Sequence, residues 1–462
     1  MTHSNSGDSD AFVFFGATGD LAYKQIFPAL FGLVRDEGLA MPIVGVAKQD
    51  WNLDQLKDRA ADSVKAHGGD IESDAFKTFL GQLNYVDGDY ADASTFTELR
   101  KRMGDAKRPL HYLAIPPSLF SEVVSQLAKS GCSKNARLVV EKPFGRDRQS
   151  AIELTRILYQ HFSEADIFRI DHYLGKEPVQ NILYTRFANS IFEPIWNRDH
   201  IRGIQITMAE DFGVQERGKF YDEAGAIRDV LQNHMLQILA SLTMDPPAGQ
   251  EHEAVRDGKA SLLKAVRAIE ADHLVRGQYE GYEKVPGVRP GSTVETFVAA
   301  RLSIDNWRWA GVPIFFRTGK LLPFSIAEAV VQFKKPPRET FGEINAVGSG
   351  HMRFRIQPDV TIALGTRVKT PGDRMMGDDV ELILTRQPGA DQPPYQRLLG
   401  DAIEGISDLF TREDIVDAEW RIVDKVLGNV TPLYRYKPGT WGPEEATKLI
   451  GVDGPWLNPS PA

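Results

Sequence analysis

Two histidine-bearing segments hold the side chains best suited to chemistry. Arg169-Ile170-Asp171-His172-Tyr173-Leu174-Gly175-Lys176-Glu177 packs a carboxylate, an imidazole, a phenol and an ammonium into one short stretch. If this stretch is helical, His172 and Lys176 share a face and form a cationic, hydrogen-bonding seat for a phosphate. The second segment, Ala226-Ile227-Arg228-Asp229-Val230-Leu231-Gln232-Asn233-His234-Met235, places Ile227, Leu231, His234 and Ile238 on one helical stripe. A histidine therefore stands where an apolar residue is expected. Such a histidine is ordinarily a hydrogen-bonded core residue, but Asp229 and Asn233 on the same helix, and Asp171 as an orienting carboxylate, favour a chemical use. Hydride removal from a carbinol carbon requires the hydroxyl proton to leave with it. A neutral imidazole, with an ordinary pKa of about 6.5, accepts that proton, and a carboxylate on its other nitrogen fixes the tautomer and stabilises the imidazolium. His234 is the candidate base and Asp171 its partner.

Other candidates fall at the ends of strands. Gly16-Ala17-Thr18-Gly19-Asp20-Leu21-Ala22 follows an apolar run and leads into a helical pattern. A turn with so little side chain lets a pyrophosphate approach the backbone, where the helix N-terminus offers N–H groups and partial positive charge. It departs from G-x-G-x-x-G, and a plain structural turn uses the same residues, but its place after the first strand of an alternating half favours a nucleotide. At the end of the second strand, Val46-Ala47-Lys48-Gln49-Asp50 decides between cofactors. Lys48 suits the 2′-phosphate of NADP, while Asp50 suits a ribose hydroxyl, so NADP is preferred with NAD as the alternative; a solvated lysine on a loop is the other use of Lys48. Glu141-Lys142-Pro143-Phe144 puts Lys142 at the carboxyl edge of the sheet, within range of a cofactor and a substrate, with Pro143 suited to a tight, cis-peptide turn; taken alone, a surface turn with an exposed lysine is the plainer reading. Glu210 and Lys320 each follow a strand and offer a sugar an acceptor and a cation; an exposed edge charge is the plainer use of each.

The elements that must position these groups change character along the chain. Phe12–Phe15, Pro42–Val46, His111–Ile115 and Arg137–Val140 read as buried strands separated by helices such as Ser118–Lys129, the order of a parallel sheet covered on both faces. After about Asp171, alternation at Ile204, Ile206 and Met208, at Val298, Ala300, Leu302 and Ile304, and at Val380, Leu382 and Leu384 predicts a mainly antiparallel sheet. Helices are expected at Ala224–Leu242 and around Ile415–Leu427. The expected organisation is a flexible N-terminus at 1–10, an α/β Rossmann-like coenzyme domain at 11–175, and a larger α+β domain at 176–462 for substrate binding and oligomerisation. The tail after Gly454 reads as a loose end.

Composition sets limits. A net charge of −9 over 462 residues argues against nucleic-acid and anionic-membrane surfaces as partners. The single cysteine, Cys132, excludes an intrachain disulfide and a multi-cysteine metal site. No HExxH or calcium-loop spacing is present, so no required metal is expected. The acidic start Met1–Asp10 has no signal-peptide pattern and no apolar run is long enough to span a bilayer, so a cytoplasmic protein is expected.

Taken together, the Gly16–Ala22 turn, Glu141–Gly145, Arg169–Glu177, Phe187-Ala188-Asn189, Trp196–Asp199, Tyr221–Gly225 with Ile227–Asp229, Gln232-Asn233-His234 and Arg317-Thr318-Gly319-Lys320 closely resemble the glucose-6-phosphate dehydrogenase family, in the same order along almost the whole chain. The resemblance implies oxidation of glucose 6-phosphate at C1 to 6-phosphogluconolactone with hydride transfer to NADP, the opening step of the oxidative pentose phosphate pathway. It also implies a homodimer or homotetramer built through the large antiparallel sheet. By matching position, it implies that His234 is the general base and Asp171 its partner. His172, Tyr173 and Lys176 would hold the phosphate; Lys142, Glu210, Asp229 and Lys320 would hold the sugar, with Lys142 also near the nicotinamide. Gly16, Ala17, Thr18, Gly19, Asp20, Leu21 and Lys48 would hold the cofactor.

Four positions depart from the family pattern. Lys48 stands where arginine is frequent, Tyr23 where lysine is common, and Ser325 where a further base is usual. Trp441 replaces the arginine that animal members use for a structural nucleotide, so no second NADP is expected. Ser325 motivates a rival reading as a dehydrogenase of another aldose 6-phosphate or of a free aldose. A noncatalytic NADP sensor, a rival of another class, predicts damage at Asp171 or His234, and both are intact.

Overall fold

The first strands are short runs of apolar residues, and burial on both faces is what such runs require. In the computed structural model, which describes residues 7–338, 340–341, 350–372, 374–384 and 392–461, β1 (Ala11–Phe15), β2 (Ile43–Ala47), β3 (Leu83–Asp87), β4 (Pro109–Leu113), β5 (Arg137–Glu141) and β6 (Ile167–Ile170) form a parallel sheet. Its order is β6-β5-β4-β1-β2-β3, with the short strand Phe410–Thr411 added antiparallel beside β6. β1 lies at the centre, Phe12 opposite Ile43 on one side and Leu110 on the other. Successive strands are added on one side of β1 up to β3 and on the other side from β4 onward, so the carboxyl ends of β1 and β4 frame a crevice of the kind that receives ligands in open α/β sheets. Phe14 meets Phe27 edge-to-face at 5.6 Å, fastening the helix Phe27–Glu37 to the sheet. Gly38, in the left-handed region at φ 69°, ends that helix by donating its N–H to Leu33 O. Cys132 is buried in this unit, and burial pushes its thiol pKa up.

The second sheet contains β7 (Ile201–Ala209), β8 (Leu274–Tyr279), β9 (Phe297–Leu302), β10 (Ile314–Gly319), β11 (Ile326–Phe333), β12 (His351–Gln357), β13 (Thr361–Lys369) and β14 (Gly377–Leu384). Together with the strand Leu433–Tyr436 it has nine strands, ordered β14-β13-β12-β11-β7-β10-β9-β8-Leu433–Tyr436. β7 pairs with β10 in parallel and Leu433–Tyr436 with β8 in parallel; the other neighbours are antiparallel. The alternation expected through Ile304 stops at Leu302, and Ile304 makes only an isolated bridge to Val266. On β14, the edge strand, the alternation does not mark a buried face: Leu382, Ile383 and Leu384 are all exposed, so neither face is covered by the described residues.

By residue contacts the chain divides into two compact units. One comprises Met1–Glu177, Gly249–Arg256 and Ala390–Asp417; the other comprises Pro178–Ala248, Asp257–Gly389 and Ala418–Ala462. Residues 1–6 of the stretch expected to be flexible lie outside the described residues. The expectation of a loose C-terminal tail is corrected. Gln205 donates to Pro455 O at 3.1 Å and accepts from Leu457 N at 2.8 Å, and Arg317 donates to Asn458 Oδ1 at 2.8 Å. The Arg317 guanidinium lies 4.4 Å from the Trp441 ring centre and 4.7 Å from that of Trp456, and burial lowers its pKa to about 9. Cation–π contact and paired backbone groups outweigh the tail's prolines. No helix of the described residues is long and apolar enough to cross a membrane.

Candidate active site

The glycine turn after β1 has a shape that larger side chains forbid. Gly16 sits at φ 84°, and a Cβ there would come within 2.3 Å of Ala114 O. Its N–H points back to Val46 O at 2.9 Å and Tyr90 Oη at 3.0 Å, which ties the turn to the end of β2. Gly19 N–H closes the turn on Gly16 O at 2.9 Å, and helical backbone starts directly after it. Ala17 and Thr18 therefore lie in the turn between strand and helix, and Asp20 and Leu21 open the helix. This is the arrangement that fits a pyrophosphate.

Past β2, Lys48 Nζ lies 2.7 Å from Asp89 Oδ2, and Asp87 Oδ1 accepts the N–H groups of Gln49 and Asp50, each at 3.0 Å. Arg59, on the helix Leu53–Ala66, reaches back to Gly19 O at 3.4 Å. Sequence reading did not single out this cation, because its approach depends on helix placement.

Lys142 follows β5 at a cis Lys142–Pro143 bond. Beside it the Glu141 carboxylate accepts from the Tyr112 hydroxyl and, at 3.1 Å, from the Tyr395 hydroxyl. Burial raises the Glu141 pKa, while the two phenols and then the Lys142 ammonium oppose that rise. Burial, then the charges of Glu141 and Asp171, raises that of Tyr395. Neither tyrosine carries a motif that marks it in the sequence.

The segment after β6 is a run of turns and becomes helical only from Glu177, so His172 and Lys176 do not share a helical face. The physical reason is local. Asp171 Oδ1 takes the Tyr173 N–H at 3.0 Å and Asp171 O takes the Leu174 N–H at 2.9 Å, an Asx turn that competes with helix. The turns still gather the groups around one ring: Lys176 Nζ lies 3.9 Å from the Tyr173 ring centre and the His172 ring 5.0 Å from it. Burial lowers the Lys176 pKa to about 8, partly offset by the negative charge of Asp171. Asp171 and Tyr173 are buried, His172 and Lys176 half-buried.

In the other unit, the parallel register of β7 and β10 sets Gly319 opposite Ala209, so the next residues, Lys320 and Glu210, emerge side by side and form an ion pair. Two strands more than a hundred positions apart thus supply an acceptor and a cation together. The buried Lys320 ammonium also stands 5.2 Å from the Phe212 ring centre and 5.4 Å from that of Tyr221. Burial raises the Tyr221 phenol pKa, and the charges of Asp229 and Glu210 add to the shift. Tyr221 is a further residue that sequence reading left without a role.

The helix expected over Ala224–Leu242 is broken. Gly225 adopts φ 67° and ψ 173°, and a Cβ there would meet Glu295 Oε1 at 2.4 Å. Glu295 accepts Ala226 N–H on its backbone oxygen at 3.0 Å and Ile227 N–H on its carboxylate at 3.2 Å, which starts a new helix. From Ile227 to Met235 that helix is π-helical, and it becomes α-helical from Leu236 to Thr243. Asn233 favours the wide turn: its Oδ1 takes the His234 N–H at 2.6 Å, a bond that an α-helix would give to Val230, and its Nδ2 donates to Arg228 O at 3.0 Å. His234 is buried and Asp229 half-buried on this turn. Wide turns of this kind recur at functional sites.

Comparison with known proteins agrees with this architecture. Residues 13–181 match the family model described as glucose-6-phosphate dehydrogenase, NAD binding domain, and residues 183–457 match the glucose-6-phosphate dehydrogenase C-terminal domain. The chain is 42% identical over 462 residues to glucose-6-phosphate 1-dehydrogenase 1 of Mycobacterium tuberculosis, covering 99% of each chain. It superposes on the crystal structure of glucose-6-phosphate 1-dehydrogenase from Mycobacterium avium with a TM-score of 0.92 and 44% identity, covering 98% of this chain and 100% of that one. A structure of glucose-6-phosphate dehydrogenase in complex with its substrate glucose-6-phosphate gives a TM-score of 0.90 at 34% identity, with 98% and 100% covered. With both domain models matched in order and identity above 40% along the full length, the chain belongs to the glucose-6-phosphate dehydrogenase family.

Proposed function

We propose that this chain oxidises D-glucose 6-phosphate at C1 to 6-phospho-D-glucono-1,5-lactone, with NADP as the preferred hydride acceptor and NAD as a slower alternative. The observation that carries the reading is a buried histidine on a π-helical turn in a chain of this family. His234 takes the C1 hydroxyl proton, and Asp171 orients the imidazole and stabilises the imidazolium. His172, Tyr173 and Lys176 hold the phosphate. Lys142, Glu210, Asp229 and Lys320 hold the sugar hydroxyls, the Glu210–Lys320 pair giving a donor and an acceptor at fixed spacing. The turn Gly16–Leu21 carries the pyrophosphate, and its bare backbone fits that group. The nicotinamide supplies the hydride acceptor when bound.

A single panel tests this: initial rates of cofactor reduction with glucose 6-phosphate, galactose 6-phosphate and free glucose, each with NADP and with NAD. Turnover of glucose 6-phosphate in marked preference to the others is expected, and absence of turnover with any sugar overturns the reading. Galactose 6-phosphate as the best substrate would favour the rival aldose-phosphate reading. Ser325 motivates that rival; its hydroxyl is tied to Asp211, donating to Oδ1 at 2.5 Å and accepting the N–H at 3.1 Å. A cytoplasmic location fits the single cysteine, which has no use for an oxidising compartment. A homodimer or homotetramer is supported by the edge strand β14 with its exposed Leu382, Ile383 and Leu384, and light scattering on the purified protein checks it.

A further inference from the structure

A nucleotide seated at the β1 turn lays its adenosine ribose between that turn and the loop after β2. Lys48 is the cation on that loop, and it is engaged by Asp89 at 2.7 Å. With Asp50 and Asp87 alongside, the ends of β2 and β3 present carboxylates that suit ribose hydroxyls better than a phosphate dianion. Arg59 approaches the same space from the helix Leu53–Ala66. Its guanidinium lies 4.9 Å from the Tyr23 ring centre and 5.9 Å from that of Trp51, while Nη2 donates to Gly19 O at 3.4 Å. Its Nε is buried and has no hydrogen-bond partner among the described residues. Tyr23 is itself fixed, its hydroxyl donating to Asp62 at 2.6 Å, and Trp51 belongs to the loop after β2. Two aromatic rings thus hold a planar, permanently charged fork between the phosphate turn and the ribose loop. That fork matches a phosphate bidentately and offers a flat face to an adenine, neither of which a lysine does.

We propose that Arg59, rather than Lys48, receives the adenosine 2′-phosphate and so sets the preference for NADP over NAD, which deepens the dehydrogenase reading and rests on it for the kinetic arm of its test. That arm compares kcat/KM for NADP and for NAD in the wild type, Arg59→Gln and Lys48→Gln at saturating glucose 6-phosphate. Arg59→Gln should lower kcat/KM for NADP by about tenfold or more and that for NAD by less than about twofold, the loss expected for one charge-assisted bond. Lys48→Gln should change the NADP-to-NAD ratio by less than about threefold, because its charge is already compensated by Asp89. A ratio unchanged in Arg59→Gln, or reduced more by Lys48→Gln, overturns the proposal.

The binding arm needs no turnover: calorimetric titration with 2′,5′-ADP and with 5′-AMP. The wild type should bind 2′,5′-ADP more tightly by about tenfold or more, and Arg59→Gln should lose that discrimination. Equal affinities in the wild type, or discrimination retained in the variant, overturn the proposal even if the enzyme is active. An inactive wild type that still discriminates would instead overturn the dehydrogenase reading and leave the Arg59 assignment supported. Should Arg59→Gln fail to fold, Arg59→Lys keeps the charge without the stacked fork and is expected to lose part of the discrimination; full retention overturns the proposal.

Discussion

Raising the pH through about 8 should weaken capture of the sugar phosphate, because Lys176 then loses its charge. Its ammonium is half-buried over the Tyr173 ring, and burial brings its pKa from the ordinary lysine range down to about 8. The sign follows from the cause. Burial penalises the charged form, so the cation is present below that pKa and is lost as pH rises through it. A group titrating about there is roughly nine-tenths protonated one unit below its pKa and one-tenth one unit above, so kcat/KM for glucose 6-phosphate should fall about tenfold per unit once pH exceeds it. At saturating substrate kcat should fall less, since a bound phosphate dianion stabilises the protonated lysine. Lys176→Arg supplies the control, because a guanidinium stays charged throughout and should remove the falling limb even while its different shape raises KM. The assay is kcat/KM measured at constant ionic strength from about pH 6.5 to 9.5, a window spanning both sides of the transition. A wild-type profile that stays level across the upper half of that window refutes the reasoning, as does a Lys176→Arg profile that falls with the wild-type midpoint.

His234→Asn should lower kcat by about 10²- to 10⁴-fold while leaving the dissociation constant for glucose 6-phosphate within about threefold, as befits a group whose work is proton transfer; equal losses in binding and turnover would contradict that role. Gly225→Ala must hold φ near 67° and push a methyl into Glu295 Oε1, so it should cost about 1–3 kcal/mol in urea unfolding and lower kcat by shifting the helix that carries His234; unchanged stability would contradict the strain argument. Tyr395→Phe removes one of two hydroxyls from the Glu141 carboxylate, for an expected loss of about 1–3 kcal/mol by denaturant titration, accompanied by a fall in kcat through the neighbouring Lys142. A variant of wild-type stability and turnover would show that the pair does not matter.

How much of this the sequence discloses depends on the range of the interaction concerned. The central strands are legible because Phe12–Phe15 and Leu138–Val140 are apolar runs with few alternatives, and the glycine turn follows from residue types alone. The cluster Asp171–Lys176 is legible as a group of chemistries but not as a geometry, because the Asp171 side chain captures the Tyr173 N–H and diverts the chain from helix. The same competition hides the π-helical turn. Ile227, Leu231 and His234 satisfy a 3.6-residue stripe, and nothing in that periodicity says that Asn233 will take its neighbour's N–H. Pairings across long spans leave no local trace. Glu141 and Tyr395 are 254 positions apart, and Glu210 meets Lys320 only because two strands run parallel in a particular register. On β14, alternation at Val380, Leu382 and Leu384 reports strand formation faithfully, yet it is silent on which face is covered.

The buried thiol of Cys132 makes the native chain a blank background for covalent dyes. Maleimide chemistry needs an accessible thiolate, and this sulfur is both shielded and held in its protonated form. A cysteine introduced at a solvent-facing position such as Trp307, which is 95% exposed, would therefore react alone, with no prior removal of native thiols.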